Sequence, residues 1–166
     1  PIASRLRDQL EKFLAEPDNP FGIARQKPGE DGYFFEPTSQ LGLNYMFSSR
    51  AWAALSIYIL TGDRRAWTYA ADQLDWILGK NPYDLCMMEG VGAVNPPRYH
   101  HRYDSIPGHE RGAVPGAIPN GFVRDAAGYD RPGFDMSRTG RPHPSYRTSE
   151  PWLVHNVLHL IAMTAL

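Results

Sequence analysis

The sequence has a single cysteine and almost no net charge, and it lacks long hydrophobic runs. Cys86 alone excludes an intrachain disulfide and a cysteine-rich zinc site. The 17 basic and 18 acidic residues give a formal net charge of -1, and no block of lysine and arginine stands out, so nucleic acid is a poor candidate for a partner. No apolar run approaches the ~20 residues of a membrane-spanning helix. The 42% of hydrophobic residues are enough to build the core of one globular domain.

The N-terminus shows neither an initiator methionine nor a signal peptide. Because the chain begins at Pro1, we expect it to be processed or truncated. The lone cysteine does not decide the cellular compartment, since secreted enzymes without disulfides are common.

Apolar residues recur at helical spacing in the first half of the chain. Residues 2–14 carry them at steps of three and four among charged residues, which predicts an amphipathic helix. Residues 44–60 are apolar almost all round, a pattern typical of a buried helix. Thr61-Gly62-Asp63 separates this segment from a further amphipathic helix at 64–78, which Gly79 ends. The last two segments predict a tight helical hairpin, the unit of helical toroids, and hence an all-α fold.

Residues 80–149 differ in composition from the helical part. They hold most of the glycine, proline and histidine and show no sustained period of either a helix or a strand. A long irregular segment in a compact domain is typically functional. We therefore divide this single domain portion into a helical part at 1–79, active-site loops at 80–149 and a terminal helix at 150–166.

The densest polar cluster of these loops lies between Pro96 and Arg102. A histidine and an arginine two positions apart in an extended segment point to the same side, so His100 and Arg102 could bind one ligand. The alternative is that both side chains only satisfy local carbonyl groups. A metal site on His100, His101 and His109 would need a closed coordination geometry that their spacing does not supply.

Glu150 stands at the start of the last apolar run. It follows Ser149, a residue type favoured as an N-cap, and precedes Pro151, which suits a first helical turn. A carboxyl group there could donate a proton to a substrate, although the helix dipole favours an acid at that position whatever its role. Asn156 lies further along the same helix. Because asparagine is a poor helix former, we expect it to make a hydrogen bond across the core.

Asp125, Asp130 and Asp135 are spaced like loop carboxylates that could bind calcium through oxygen ligands. The spacing of an EF-hand is absent from the sequence, and solvated loop acids are the alternative. Cys86 lies beside Leu85 and Met87, which indicates a core residue rather than a nucleophile.

Several motifs, taken in order along the chain, resemble the family 9 glycoside hydrolases, an inverting cellulase family, in their C-terminal third. The segment from Leu43 to Pro82 is similar to the family's helical hairpin with its G-x-N-P turn, and Pro97 to Arg102 matches its P-x-x-H-x-R loop. Gly116 to Gly121 resembles the Gly/Pro/Asn loop that follows. The terminal pattern, an aromatic residue followed by Glu and Asn at fixed spacing, is matched by Tyr146, Glu150 and Asn156.

The resemblance implies a reaction and a role for each of these residues. Glu150 would be the general acid that protonates the leaving oxygen. His100, Arg102, Tyr146 and Asn156 would bind the sugar and help to position the acid. The substrate would be a β-1,4-linked glucan or a related β-glycan, so the implied partner is an oligo- or polysaccharide and neither nucleic acid nor a membrane. No cofactor would be required, calcium would be a structural ion where it binds, and a secreted or periplasmic location is favoured.

The resemblance also implies that the chain lacks part of the enzyme. The family's base is an aspartate pair in an N-terminal D-A-G-D-like motif, which this sequence does not contain. Its (α/α)6 toroid has six helical hairpins, whereas the sequence predicts four helices. The chain thus looks like a C-terminal piece that carries the acid and the sugar-binding loops. Two departures leave the glycan open: Trp152 and Val157 replace small residues, and the aspartate that precedes the aromatic is displaced to Asp135 or missing.

Two alternatives come from other functional classes. A non-catalytic carbohydrate-binding or inactive helical domain would stack aromatic side chains on sugar rings without hydrolysis; the candidates are Tyr99, Tyr103, Tyr129, Tyr146 and Trp152. A purely structural helical domain would have no sugar affinity. Because an incomplete toroid exposes the apolar faces of residues 44–60 and of the terminal helix, we also expect self-association or binding to the N-terminal remainder of the enzyme.

Overall fold

The computed structural model describes residues 2–138 and 145–166, and within these ranges the regular structure is mostly helical. The helices are α1 (Ile2–Ala15), α2 (Asn44–Thr61), α3 (Arg64–Leu78), α4 (Tyr146–Ser149) and α5 (Leu153–Met163). A 3-10 turn spans Arg102–Ser105. Strands β1 (Val123–Arg124) and β2 (Pro132–Gly133) pair antiparallel, with Val123 opposite Gly133. The predicted all-α class is confirmed.

Helices α2 and α3 form the predicted hairpin, and local residues fix its turn. Gly62 has a φ of 72°, a left-handed conformation that glycine adopts readily, and its N–H donates to the Tyr58 carbonyl at 2.7 Å. Asp63 then caps α3, because its carboxylate accepts the Arg65 N–H at 3.0 Å. At the far end Gly79 ends α3 with a φ of 127°. Only two residues that suit a turn, Gly62 and Asp63, are therefore needed between the two helices.

Asn81 explains why the hairpin is followed by a defined turn. Its side chain is 4% exposed. The amide nitrogen donates to the carbonyls of Trp76 and Leu85, both at 2.9 Å, and the amide oxygen accepts the N–H groups of Tyr83 and Leu85 at 3.1 Å. One side chain thereby joins the end of α3 to the first loop of the region that follows.

Two buried clusters hold the helices and the loops together. The first lies between the helices and includes Leu10 of α1, Leu55 of α2, Leu74 of α3 and Ala162 of α5. The second, the Trp76 cluster, joins α2 and α3 to the loops; its buried members are Ile23, Phe35, Phe47, Trp76, Ile77, Leu85, Met87, Ile118 and Phe122. The Trp76 side chain is fully buried. Because loop residues supply most of this cluster, burial of apolar surface fixes the irregular part of the chain on the hairpin.

The terminal helix begins three residues later than predicted. Glu150 has φ -82° and ψ 121°, an extended conformation, and α5 starts at Leu153. Pro151 forms an isolated antiparallel bridge with Pro119, and the Glu150 carbonyl accepts the N–H of Asn120 at 2.9 Å. These tertiary contacts separate the short helix α4 from α5. The predictions that Ser149 is an N-cap and that Glu150 and Pro151 lie in a first helical turn are therefore wrong.

Apolar side chains remain exposed on two helices. On α5, Leu153 is 79% and Leu160 65% exposed, and on α2 Ile59 is 65% and Leu60 68% exposed. Large surface patches of this kind mark sites of association. None of the helices in the described ranges has both the length and the apolar character needed to cross a membrane.

We expect the 166-residue chain to self-associate through these faces. Sedimentation over a concentration series should show an average mass that rises above that of a monomer. Leu160→Gln should lower the association, because it places an amide in the apolar face. Tyr129→Gln is the matched control, since Tyr129 is equally exposed, at 65%, but lies in a loop. A monomer at every accessible concentration would contradict the prediction.

Candidate active site

Helix α4, which leads to Glu150, is held by backbone hydrogen bonds from three distant segments. The N–H groups of Gly42 and Gly121 donate to the carbonyls of Arg147 and Thr148 at 2.9 and 3.0 Å, and the His100 N–H donates to Ser149 at 3.1 Å. These bonds fix the last residues of α4 on the rest of the molecule. Helix α4 has only four residues, too few to be stable alone, so this anchoring is what positions the chain that leads to Glu150.

Glycine is required at two of these anchoring positions. A Cβ on Gly42 would lie 2.4 Å from the Gly121 carbonyl oxygen, and a Cβ on Gly121 would lie 2.4 Å from Oδ1 of Asn44. Gly121 also has a φ of 101°, in the region that favours glycine. The Gly/Pro/Asn loop at 116–121 therefore packs directly against Gly42 and Asn44, with no room for a Cβ at Gly42 or Gly121.

The backbone of Glu150 is anchored by hydrogen bonds, whereas its carboxylate has no partner among the described residues. The residue is half-buried, and within residues 2–138 and 145–166 its carboxylate forms neither a hydrogen bond nor an ion pair. Its own N–H donates to the Tyr146 carbonyl at 3.3 Å, and its carbonyl accepts from Asn120. The main chain is thus fixed while the acid group stays available to a ligand.

His100 and Tyr146 lie beside this carboxylate's segment. Their ring centroids are 5.8 Å apart with the planes at 62°, an edge-to-face contact. Tyr146 is 45% exposed, and the Arg147 guanidinium lies 5.3 Å from its ring. Since the His100 backbone also contacts Ser149, the structure brings the predicted residues His100 and Tyr146 together with Glu150.

Arg102 is exposed and lies at the first position of the 3-10 turn. The predicted extended segment ends one residue earlier, because the His101 ring caps the turn by accepting the Tyr103 N–H at 3.3 Å. The alternation that would place His100 and Arg102 on one side therefore does not extend to Arg102. That the two residues bind one ligand stays a prediction.

Asn156 uses its amide to hold the loop that precedes Asn120. Its Oδ1 accepts the Ile118 N–H at 3.2 Å, and its Nδ2 donates to the Gly116 carbonyl at 2.7 Å. The hydrogen bond across the core that its poor helix propensity predicted is confirmed. Substrate binding by Asn156 stays a prediction beside this structural role.

The structure contradicts one aromatic residue proposed for sugar stacking. Tyr99 is fully buried. Its hydroxyl donates to Glu89 at 2.9 Å, and Glu89 also accepts from Arg111 at 2.5 and 2.7 Å. Burial, reinforced by the bond to Glu89, raises the pKa of Tyr99 well above its usual range. Tyr99 therefore anchors the loop that carries His100, and a sugar ring cannot stack on it. The other proposed stacking residues in the alternative are partly exposed; they are Tyr103, Tyr129, Tyr146 and Trp152.

Sequence reasoning missed that Glu89 and Arg111 support this loop. Glu89 is 8% exposed, and Arg111 donates to the Pro96 carbonyl at 2.9 Å. The two residues are 22 positions apart and lie in an irregular region, so no spacing rule connects them. A lone acid between Met88 and Gly90 was the only signal, and it is weak. Cys86, by contrast, is a buried core residue as predicted, and burial raises the pKa of its thiol.

The three loop aspartates each take part in a hydrogen bond or ion pair within the protein. Asp125 pairs with Arg131 at 2.5 Å, Asp130 accepts the N–H of Phe35 at 3.0 Å, and Asp135 accepts the Ser145 N–H at 2.7 Å. Within 2–138 and 145–166, no three His, Cys, Asp or Glu side chains group as the ligands of a metal ion would. The aspartates and the loop histidines thus do not form a ready metal centre in the described residues, and a calcium ion stays a prediction.

A broad groove of about 740 Å³ lies beside α4. Its walls include Asp125, Phe134, Asp135, Arg147 and Thr148. Arg147 and Thr148 of α4 thus line the groove, and Glu150 follows α4 directly in the chain.

Comparison with known proteins identifies the family. The sequence profile described as "Glycosyl hydrolase family 9" matches residues 3–143. The chain belongs to this family. The match ends before Glu150, so the assignment of the family does not itself depend on that residue.

Similar proteins agree with this assignment, and solved structures match nearly the whole chain in fold. Endoglucanase 20 of Oryza sativa subsp. japonica is 32% identical over 122 residues, which cover 63% of this chain and 23% of that protein. The structure of AaCel9A in complex with cellobiose-like isofagomine matches 99% of this chain at 25% identity and a TM-score of 0.70. CelQ from Clostridium thermocellum, complexed with cellobiose and cellotriose, matches 95% of the chain at 21% identity and a TM-score of 0.65.

The predicted partial toroid is consistent with the extent of these matches. This chain covers 31% of AaCel9A and 26% of CelQ. It therefore spans about a quarter to a third of the length of the relatives that it matches. The prediction that the helical hairpin is part of a family 9 (α/α)6 fold is confirmed.

Proposed function

We propose that this chain is the acid-bearing part of an inverting hydrolase of β-1,4-linked glycans, with Glu150 as the general acid. The observation that carries the proposal is the state of Glu150 in a family 9 chain: its main chain is anchored, while its carboxylate has no protein partner within the described residues. A group that must reach the glycosidic oxygen has to be positioned in this way.

The neighbouring side chains suit a sugar ligand. Tyr146 presents an exposed ring face on which a sugar ring could stack, and His100 and Arg102 supply N–H donors to hydroxyl groups. AaCel9A binds a cellobiose-like ligand and CelQ binds cellobiose and cellotriose, which supports an oligosaccharide as the ligand. The chemistry needs an acid, a base and water, so we propose no cofactor.

The base is proposed to come from outside this chain. An inverting reaction needs a second carboxylate that activates water on the opposite face of the sugar, about 6.5–9.5 Å from the acid. The three loop aspartates are committed to partners within the protein. Since the chain covers 23% of Endoglucanase 20, the larger part of such an enzyme is available to supply the base.

The test is to offer a panel of β-1,4-linked oligosaccharides to the 166-residue chain, measuring binding by calorimetry and products by NMR. We expect measurable binding without hydrolysis. Hydrolysis would show that a base lies within the chain, with Asp125, Asp130 and Asp135 as the first candidates. No binding at all would contradict the sugar site and favour a purely structural domain.

A non-catalytic carbohydrate-binding domain is the second candidate. The observation that favours it is the set of exposed aromatic rings, among them Tyr146 and Trp152, each 45% exposed. Both candidates predict binding by this chain alone, so they diverge only on the role of Glu150 in turnover by the complete enzyme.

A further inference from the structure

Asn120 contacts both Tyr146, the first residue of α4, and Glu150, the residue that follows this helix. It is 1% exposed, and its backbone and side chain together use four hydrogen-bonding groups. The backbone N–H donates to Glu150 and the backbone carbonyl accepts from Asn44, both at 2.9 Å. The side-chain Nδ2 donates to the Tyr146 carbonyl at 2.7 Å, and Oδ1 lies 2.8 Å from Nε2 of His155. One buried residue thus contacts both ends of the segment that carries the acid.

The partner of Asn120, His155, has a defined tautomer. The backbone N–H of Tyr45 lies 2.9 Å from Nδ1 of His155, and a backbone N–H can only donate. Nδ1 must therefore be the acceptor, which leaves the proton of the neutral ring on Nε2. Nε2–H in turn donates to the Asn120 oxygen, so the amide nitrogen of Asn120 must face the Tyr146 carbonyl. Each group in this chain of contacts determines the orientation of the next.

We propose that Asn120 and His155 are positioning residues for Glu150, holding α4 and its C-terminal neighbour from the buried side; this inference rests on the proposed function. Helix α4 has no side-chain cap at Ser145 and only four residues, so it needs such support. The His155 ring is fixed on α5 and contacts the start of α2 through Tyr45. The pair thereby ties the position of the acid to the packing of two long helices.

Asn120→Asp is the most selective variant. It preserves the size of the side chain, both backbone hydrogen bonds and an oxygen that can accept from His155. It replaces the amide donor to Tyr146 with a second carboxylate oxygen and places a negative charge at this buried position, and both repel the Tyr146 carbonyl. Asn95→Asp is the matched control. The Asn95 amide also donates to partly buried carbonyls, those of Cys86 and Met88 at 2.9 and 3.0 Å, and none of its hydrogen bonds within the described residues is to α4.

Amide hydrogen exchange on the 166-residue chain separates positioning from general stability. The reporters are the N–H groups of Gly42 and Gly121, which donate to α4. In Asn120→Asp their exchange should accelerate at least ~tenfold relative to amides in the middle of α3, because α4 opens locally. Asn95→Asp should leave this ratio unchanged. Equal acceleration of α3 in Asn120→Asp would show a merely structural role and overturn the proposal.

The imidazole nitrogens and the complete enzyme give two further readouts. Nitrogen NMR should show His155 with its proton on Nε2, and a ring protonated on Nδ1 would also overturn the proposal. In the complete enzyme Asn120→Asp should lower kcat ~tenfold or more with little change in KM, because the acid rather than the sugar site is displaced. A wild-type kcat in Asn120→Asp beside an inactive Glu150→Gln contradicts this inference alone, whereas an active Glu150→Gln contradicts the proposed function.

Discussion

Replacing Glu150 with glutamine in the complete enzyme should lower turnover of β-1,4-linked oligosaccharides about a hundredfold to ten-thousandfold. Glutamine has nearly the same shape and can still bind a sugar hydroxyl, but it has no proton to give to the leaving oxygen. Because the Glu150 carboxylate has no partner within the described residues, the substitution leaves no ion pair broken there. Affinity for the oligosaccharide should therefore change little. Steady-state kinetics together with calorimetry on the variant would measure both effects.

Glu110→Gln is the control for loss of one carboxylate from the same loop region. Glu110 is exposed and accepts the Gly108 N–H at 2.8 Å, so its substitution should affect neither turnover nor binding. Turnover by Glu150→Gln equal to that of the wild type would contradict the assignment of the acid. With affinity retained, that outcome would favour a binding surface on Tyr146 and Trp152 whose function does not involve proton transfer.

The helices that the sequence predicts well are those with local end signals. The segments predicted at 44–60 and 64–78 are found at Asn44–Thr61 and Arg64–Leu78. Gly62, Asp63 and Gly79 mark these ends, and each acts through contacts within a few residues. The terminal helix was misplaced because its start depends on a backbone contact between Asn120 and Glu150, thirty positions apart. A pattern of residue types cannot reveal a contact of that range.

The residues of the candidate site also fall into those that the sequence could predict and those that it could not. His100, Tyr146 and Glu150 lie in motifs that the sequence shows, and their segments are adjacent in the structure. Their role in a catalytic site stays a prediction. The residues that hold them could not be predicted, because Asn120 with His155 and Glu89 with Arg111 act through contacts between segments that are far apart in the sequence. Tyr99 shows the consequence: an aromatic residue in a polar loop resembles a stacking residue until a distant buried carboxylate, Glu89, is seen to bind its hydroxyl.

Acidification should destabilise this chain before its carboxylates are protonated. Burial lowers the pKa of His155 from 6.5 to about 4. In the unfolded chain the His155 imidazole therefore binds a proton below about pH 6.5, whereas in the folded chain it binds that proton only below about pH 4. The contribution of His155 to the free energy of unfolding is fully present above pH 6.5 and is lost as the pH falls from 6.5 to about 4. The loss should reach about 3 kcal/mol, since each pKa unit corresponds to about 1.4 kcal/mol. Denaturant unfolding at a series of pH values would measure it.

The contributions of other titrating groups to this pH dependence can be distinguished from that of His155. Burial also lowers the pKa of His159, so it adds a loss in the same direction. Hydrogen bonds, that of Arg65 first, lower the pKa of Asp63 from 3.8, so its contribution is lost only at more acidic pH.

His155→Gln should flatten the dependence of stability on pH between about 6.5 and 4, whatever it does to stability at neutral pH. His109→Gln, at an exposed position, is the matched control for the loss of one imidazole. The slope is the decisive quantity, because loss of the Tyr45 and Asn120 contacts lowers stability at every pH, whereas only a titrating ring makes the loss depend on protons. An unchanged slope in His155→Gln would mean that the folded chain accepts the proton on His155, which requires Nδ1 to give up the Tyr45 N–H and the ring to turn away from its present partners.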